Sequence, residues 1–219
     1  MSNSLPCVEI NQENAKHSII WLHGLGADGH DFEPIVAELT LNQPVRFVFP
    51  HAPEMAVTIN NGLHMPAWYD IKAAQIDAAQ DETGIRHSQQ AVLALIEREI
   101  ERGVSTENII LAGFSQGGAI ALHTGLRYEK PLAGIMGLST YLPLEDSVAA
   151  ERDNANIQTP IFLAHGNYDQ IIPPALAAHT HATLNKLGYP TEFKKYEMEH
   201  SVCVEEIDAI SAWINRVFS

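Results

Sequence analysis

Short runs of aliphatic, β-branched and aromatic residues alternate along the chain with longer stretches whose apolar residues recur every three or four positions. Ser18-Ile19-Ile20-Trp21-Leu22, Arg46-Phe47-Val48-Phe49, Ile109-Ile110-Leu111-Ala112, Gly134-Ile135-Met136-Gly137-Leu138 and Ile161-Phe162-Leu163-Ala164 are near-continuous apolar runs. That is the pattern of strands buried on both faces of a parallel sheet. Glu192-Phe193-Lys194-Lys195-Tyr196 alternates polar with apolar, which predicts an edge strand. From Ile85 to Arg102, Ile85, Val92, Leu95, Ile96 and Ile100 fall at near-helical spacing and Gly103 supplies a stop. Ala175 to Leu187 predicts a second helix, opened by Pro173-Pro174 and closed by Gly188, and Val204, Ile207, Ile210, Ile214 and Val217 stripe a third. The alternation predicts βαβ units: an α/β fold in one domain, residues 1–219, with a mostly parallel central sheet flanked by helices.

One segment departs from this plan. Ala56 to Ile71 is rich in large apolar residues but is punctuated by Asn60-Asn61-Gly62 and Pro66, too interrupted for a central strand. Asn-Gly between Val57, Ile59 and Leu63, Met65 predicts a small hairpin. Loops seldom carry so many apolar groups unless they pack down or bind something. A lid-like lip at about 56–71, with Ile59, Leu63, Met65 and Trp68 binding an acyl chain, is one expectation. A loop folded over the core and a dimer contact are the others.

Composition narrows the functional classes. The 219 residues are 46% hydrophobic and 18% charged, enough for a substantial core. Lys plus Arg is 13 against 27 Asp plus Glu, a formal charge of −14 that repels phosphate backbones and argues against nucleic-acid partners. No run approaches the 18 or so apolar residues of a membrane-spanning helix, and Met1-Ser2-Asn3-Ser4-Leu5 has no basic, apolar leader. Cys7 and Cys203 form no C-x-x-C pair, so neither a metal cluster nor a disulfide framework is expected. The expectation is a soluble, cytoplasmic protein.

The chemistry centres on Gly113-Phe114-Ser115-Gln116-Gly117, a G-x-S-x-G between a predicted strand and the helical start Gly118-Ala119-Ile120-Ala121-Leu122. This is the context of a nucleophile elbow. A turn so sharp strains the serine backbone and leaves no room for side chains two residues to either side, hence Gly113 and Gly117. The helix that follows aims its N–H groups and positive dipole end at the place where an oxyanion develops. A second donor is expected from the early loop His23-Gly24-Leu25-Gly26, so the candidate oxyanion hole is the backbone N–H of Leu25 and of Gln116. The alternative for that loop is an ordinary glycine-rich turn. It is no phosphate loop, because it lacks the Gly-Lys-Ser/Thr ending.

Eleven histidines compete for the role of base. In this architecture the order is nucleophile, acid, histidine, which leaves His123, His165, His179, His181 and His200. His123 lies in the helix after the elbow, His179 and His181 lie mid-helix, and His165 reads as structural at a strand end. His200 follows the last predicted strand and precedes the final helix, where a base belongs. Asp169, leaving the strand that ends at His165-Gly166, is the favoured acid; Asp146, beside Glu145 after the preceding strand, is the runner-up.

Taken with these residues, Leu22-His23-Gly24-Leu25-Gly26-Ala27-Asp28, Pro50-His51-Ala52-Pro53, Trp68-Tyr69-Asp70, Gly113-Phe114-Ser115-Gln116-Gly117-Gly118, His165-Gly166-Asn167-Tyr168-Asp169 and Glu199-His200-Ser201 run in order through nearly the whole chain. The sequence thereby resembles the carboxylesterase and acyl-protein thioesterase family of α/β-hydrolases. The resemblance implies a small α/β-hydrolase without a large cap domain, a Ser115, Asp169, His200 triad and an oxyanion hole from Leu25 and Gln116. It implies a serine hydrolase of acyl esters, lysophospholipids or acylated proteins, with no metal or organic cofactor. Membrane contact is expected to be at most peripheral, through the apolar loop, and a homodimer is compatible with the same surface. The rivals are a peptidase of this fold, for which no anchor for peptide termini is found, and a non-catalytic hydrolase-fold binding protein, which would normally lack a triad member.

Overall fold

A computed structural model describes residues 5–11, 15–73 and 80–219; of the N-terminal segment read for a leader, Met1 to Ser4 lie outside them. In chain order the strands are β1 (Cys7–Asn11), β2 (His17–Leu22), β3 (Val45–Pro50), β4 (Glu54–Val57), β5 (Leu63–Pro66), β6 (Ile109–Phe114), β7 (Gly134–Leu138), β8 (Ile161–Gly166) and β9 (Thr191–Tyr196). The helices are α1 (Ile35–Glu38), α2 (Glu82–Glu101), α3 (Gln116–Arg127), α4 (Glu145–Glu151), α5 (Pro174–Lys186) and α6 (Val204–Val217). Seven strands form one sheet in the order β1-β3-β2-β6-β7-β8-β9. Only β1 runs antiparallel, against β3; the other pairs are parallel.

The near-continuous apolar runs are explained by burial on both faces. Ile20, Leu22, Leu111 and Ile135 pack with Val92, Leu95 and Ile96 of α2 and with Ile120 and Leu122 of α3. Their neighbours Ile19, Trp21, Ile110 and Met136 point the other way, onto Ile210, Trp213 and Ile214 of α6. Each such side chain taken fully from water contributes roughly 1.5–3 kcal/mol. Strand β9 is an edge strand, as its alternation predicts. The strand β1 and the short helices α1 and α4 were not foreseen.

The register matters for function because it brings the C-terminal ends of β6, β7 and β8 side by side. Leu22 pairs with Gly113, Gly113 with Gly137 and Gly137 with Leu163. The loops that leave these ends carry Ser115, Asp169 and, beyond β9, His200. No helix among the described residues is long and apolar enough to cross a membrane.

Candidate active site

Ser115 sits between β6 and α3 with φ 53° and ψ −120°, a conformation that L residues rarely adopt. The surroundings fix it there. Its N–H donates to the Leu138 carbonyl at 2.8 Å, and the Thr140 hydroxyl donates to its carbonyl at 2.6 Å. A Cβ at Gly113 would overlap the Gly117 backbone, and one at Gly117 would overlap the carbonyls of Leu22 and His23. Both glycines are therefore steric requirements of the elbow, as its motif demands.

Beyond β8 the chain turns tightly around Asp169. Its carboxylate is wholly buried and well supplied with donors. Oδ1 accepts the N–H groups of Ile171 and Ile172, both at 2.9 Å. Oδ2 accepts Nδ1–H of His200 at 2.7 Å. His165 Nε2 lies 3.3 Å from the same oxygen, while its proton goes to the Ile172 carbonyl at 2.8 Å. His165 is thus structural, as expected, and it also buttresses the acid turn. Asp146 lies in the first turn of α4. It lines a hollow of about 410 Å³ with Tyr141 and His179 that contains neither Ser115 nor His200.

The loop bearing His200 is strapped to the acid loop. Asn167 N–H donates to Tyr196 O at 2.8 Å and Tyr168 N–H to Met198 O at 3.0 Å. The Glu197 carboxylate accepts from the Tyr168 hydroxyl and the Asn167 amide, which hold its pKa below the usual carboxylate range. The Phe114 ring, one residue before Ser115, lies 4.7 Å from the His200 ring between centroids. Ser115 and the candidate acid and base are thereby gathered at one end of the sheet.

The other candidate histidines are accounted for by their bonds. His123 Nε2–H donates to Gln89 Oε1 at 3.2 Å, and burial together with the cations of Arg127 and Arg86 pushes its pKa down to about 3. His179 pairs with Glu145 at 2.9 Å, and His181 with the Asn185 amide at 2.8 Å.

The backbone N–H groups of Leu25 and Gln116 donate to no backbone acceptor among the described residues. Beside them lies an arrangement that the sequence did not announce. The Gln116 side chain, expected to matter only through its backbone, accepts from Trp68 N–H at 2.8 Å and donates to Tyr69 O at 2.7 Å. The Ala52 N–H donates to His23 Nε2 at 3.0 Å, so His23 carries its proton on Nδ1 and donates it to Gly24 O at 2.7 Å. Burial lowers the His23 pKa and keeps it neutral. The only available sequence signal was a histidine and a glutamine flanking glycines at two buried strand ends.

The segment expected to be an acyl-binding lip divides in two. Strands β4 and β5 form the hairpin that Asn-Gly suggests, with Asn61 at φ 56° and Gly62 at φ 75°. Ile59 and Leu63 at its tip are 41% and 63% exposed, and Met65 is half-buried. Met65 Sδ lies 3.7 Å from the position of a Cβ on Gly26, in the candidate oxyanion loop. Trp68, expected among the acyl-binding residues, is only 2% exposed. Its ring packs 5.2 Å from His23, inside the core rather than on a lip. Tyr168 and Ile171, which were overlooked, border a hollow of about 210 Å³ beside His200.

A parallel sheet with an antiparallel edge, a strained serine at a strand-to-helix elbow and a buried Asp–His couple beside it define an α/β-hydrolase. The chain belongs to the phospholipase/carboxylesterase family, which it matches over residues 3–218. It is 40% identical to acyl-protein thioesterase 1 of Neurospora crassa, over 92% of this chain and 88% of that protein. It is 38% identical to acyl-protein thioesterase 1 of Yarrowia lipolytica, over 96% of each. Among solved structures it resembles Arabidopsis thaliana SOBER1, with a TM-score of 0.88 and 33% identity over 93% of this chain and 99% of that one. The protein is a serine hydrolase of carboxylic ester or thioester bonds.

Proposed function

We propose that Ser115, His200 and Asp169 form the catalytic triad of this hydrolase and that the N–H groups of Leu25 and Gln116 form its oxyanion hole. The observation that carries the reading is the 2.7 Å bond from His200 Nδ1 to a fully buried Asp169. It leaves His200 Nε2 as the nitrogen able to take a proton. Ser115 Oγ attacks the acyl carbon while Nε2 accepts the serine proton; the carbonyl oxygen becomes an oxyanion facing the two N–H groups. The imidazolium then protonates the leaving alcohol or thiol, and an acyl-enzyme remains. Water, deprotonated by the same nitrogen, repeats the sequence and restores Ser115. These steps call on no metal or organic cofactor.

The substrates on this reading include thioesters of acylated proteins, a choice supported by the relatives named acyl-protein thioesterase. The acyl chain runs along Ile59, Leu63 and Met65. Exposed Ile59 and Leu63 at the hairpin tip and Met65 beside Gly26 support that path, and the same tip is the candidate for peripheral membrane contact or a homodimer. We read residues 1–219 as one hydrolase domain with this hairpin as its lip. Two unpaired cysteines support a cytoplasmic setting.

The test is Ser115→Ala with a serine-directed fluorophosphonate. The expected result is loss of kcat by several orders of magnitude, with labelling of wild type at Ser115 alone. Labelling that persists in the variant would overturn the assignment.

A further inference from the structure

Trp68 hydrogen-bonds to both of the segments that carry the proposed oxyanion donors. Its backbone N–H reaches Gln116 Oε1 at 2.8 Å. Its indole Nε1–H reaches His23 O at 2.9 Å. From there His23 Nδ1–H holds Gly24 O at 2.7 Å, one residue before Leu25. The Trp68 carbonyl is itself taken by the Ser88 hydroxyl of α2. Gln116, Trp68 and His23 are each 2% exposed, so these bonds are made away from water, where an unmade one is costly.

We infer that Trp68 is a positioning residue for the oxyanion hole, a brace that sets the N–H of Leu25 against the N–H of Gln116. The inference rests on the proposed triad and hole. The two donors belong to different chain segments, the loop after β2 and the elbow after β6. Paired strands hold those segments in register as far as Leu22 and Gly113, and Gly117 packs against the Leu22 and His23 carbonyls; among the described residues, Trp68 hydrogen-bonds to both segments. Filling the core does not account for the arrangement. Trp21 is equally buried and leaves its indole N–H without a partner, so this fold accepts a tryptophan whose N–H is unbonded. A hole stabilises charge only when its donors lie about 2.7–3.1 Å from the forming oxyanion, so small displacements of either segment weaken it.

The experiment uses the full-length enzyme and two variants. Trp68→Phe keeps an aromatic ring and removes the indole donor. Gln116→Met keeps the backbone N–H and removes both side-chain bonds. Each is assayed for kcat and KM on a p-nitrophenyl ester and for Ki of an aliphatic trifluoromethyl ketone. The ketone carbon bonds to Ser115 Oγ, the serine proton passes to His200, and the ketone oxygen becomes an oxyanion in the hole. The expected result is kcat lowered about ten- to a hundredfold with KM changed by less than about threefold, and Ki raised by the same factor as kcat/KM falls. Unchanged kcat and Ki, or a loss confined to KM or to melting temperature, would overturn the inference. Should Trp68→Phe fail to fold, Gln116→Met decides by the same readings. Fluorophosphonate labelling of wild type separates the two ideas: no label at Ser115 sinks the triad, whereas a labelled wild type with unaffected variants sinks only the brace.

Discussion

Asp169→Asn is the sharpest perturbation of the proposed mechanism, because the structure dictates which way the new amide must face. Asp169 Oδ1 accepts two backbone N–H groups, from Ile171 and Ile172. An amide NH₂ placed there would oppose two fixed donors, so the asparagine carbonyl takes that side. Its NH₂ then faces His200 where Oδ2 stood, 2.7 Å from Nδ1. Nδ1 must turn from donor to acceptor, and the imidazole proton moves to Nε2. The nitrogen that should accept the Ser115 proton is then already protonated. The variant loses the base by a tautomer change rather than by distortion, a defect that lowers kcat by about three to four orders of magnitude in triads of this design.

The assay is kcat on an activated ester across pH, paired with a thermal melt and the rate of fluorophosphonate labelling. The carbonyl side of the amide keeps its two N–H partners, so folding is expected to survive with a modest change in melting temperature. Labelling should slow with kcat, since it needs the same proton transfer. Asp146→Asn, on α4 and lining a hollow that does not include His200, is expected to stay within about twofold of wild type. An Asp169→Asn enzyme within tenfold of wild type would refute the reasoning, as would a larger loss at Asp146.

Two buried groups make opposite pH predictions. Unfolded His123 takes a proton near pH 6.5, but the folded pKa is about 3, so stability falls as pH drops below 6.5. By linkage this amounts to about 2 kcal/mol between pH 7 and pH 5; urea melts of His123→Gln should lack that share, and parallel curves for wild type and variant would count against it. Glu206 is buried with neither carboxyl oxygen in a well-formed hydrogen bond, and burial, only partly offset by the Cys203 backbone N–H, raises its pKa from 4.5 to about 8. The unfolded chain therefore ionises first and stability falls as pH climbs through that window, so Glu206→Gln should stabilise at pH 7.5 relative to pH 5, by about 3 kcal/mol on the same linkage. At the hairpin, Leu63→Ser is expected to reduce kcat/KM for octanoyl esters about three- to tenfold and to spare acetyl esters, since a side chain 63% exposed recovers only part of the roughly 0.8 kcal/mol available per methylene. An equal loss at every chain length would mark the hairpin as structural.

What could be read from the sequence was what is encoded locally. Ile109 to Ala112 could only be a strand buried on both faces, and two glycines around Ser115 could only serve a tight elbow. His200 and Asp169 followed from chain order, and the structure joins them. Strand β1 escaped because five residues with modest alternation owe their pairing entirely to β3. The segment after β3 was misread in part for a related reason. Counting apolar residues cannot separate Leu63, which faces solvent, from Trp68, which is buried. Trp68 is drawn inward by partners 45 and 48 positions away, His23 O and Gln116 Oε1. No local pattern contains that information.

On the proposed triad, one of the chain's eleven histidines serves as the base, and the bonds of two others show why. An imidazole accepts a substrate proton only if one nitrogen is unprotonated and unoccupied. His23 has Nε2 occupied by the Ala52 N–H and Nδ1–H committed to Gly24. His165 commits Nε2–H to Ile172, and its Nδ1 is sealed in the core without a partner. Burial lowers the pKa of both, so each is a neutral, fixed element of the frame. His200 differs in just these respects: its side chain is 18% exposed, Nδ1–H is held by a carboxylate, and no described group bonds Nε2. On the proposed triad the protein thus uses one kind of side chain in two roles, frame and base; what sets the base apart is a carboxylate on one nitrogen with no described group bonded to the other.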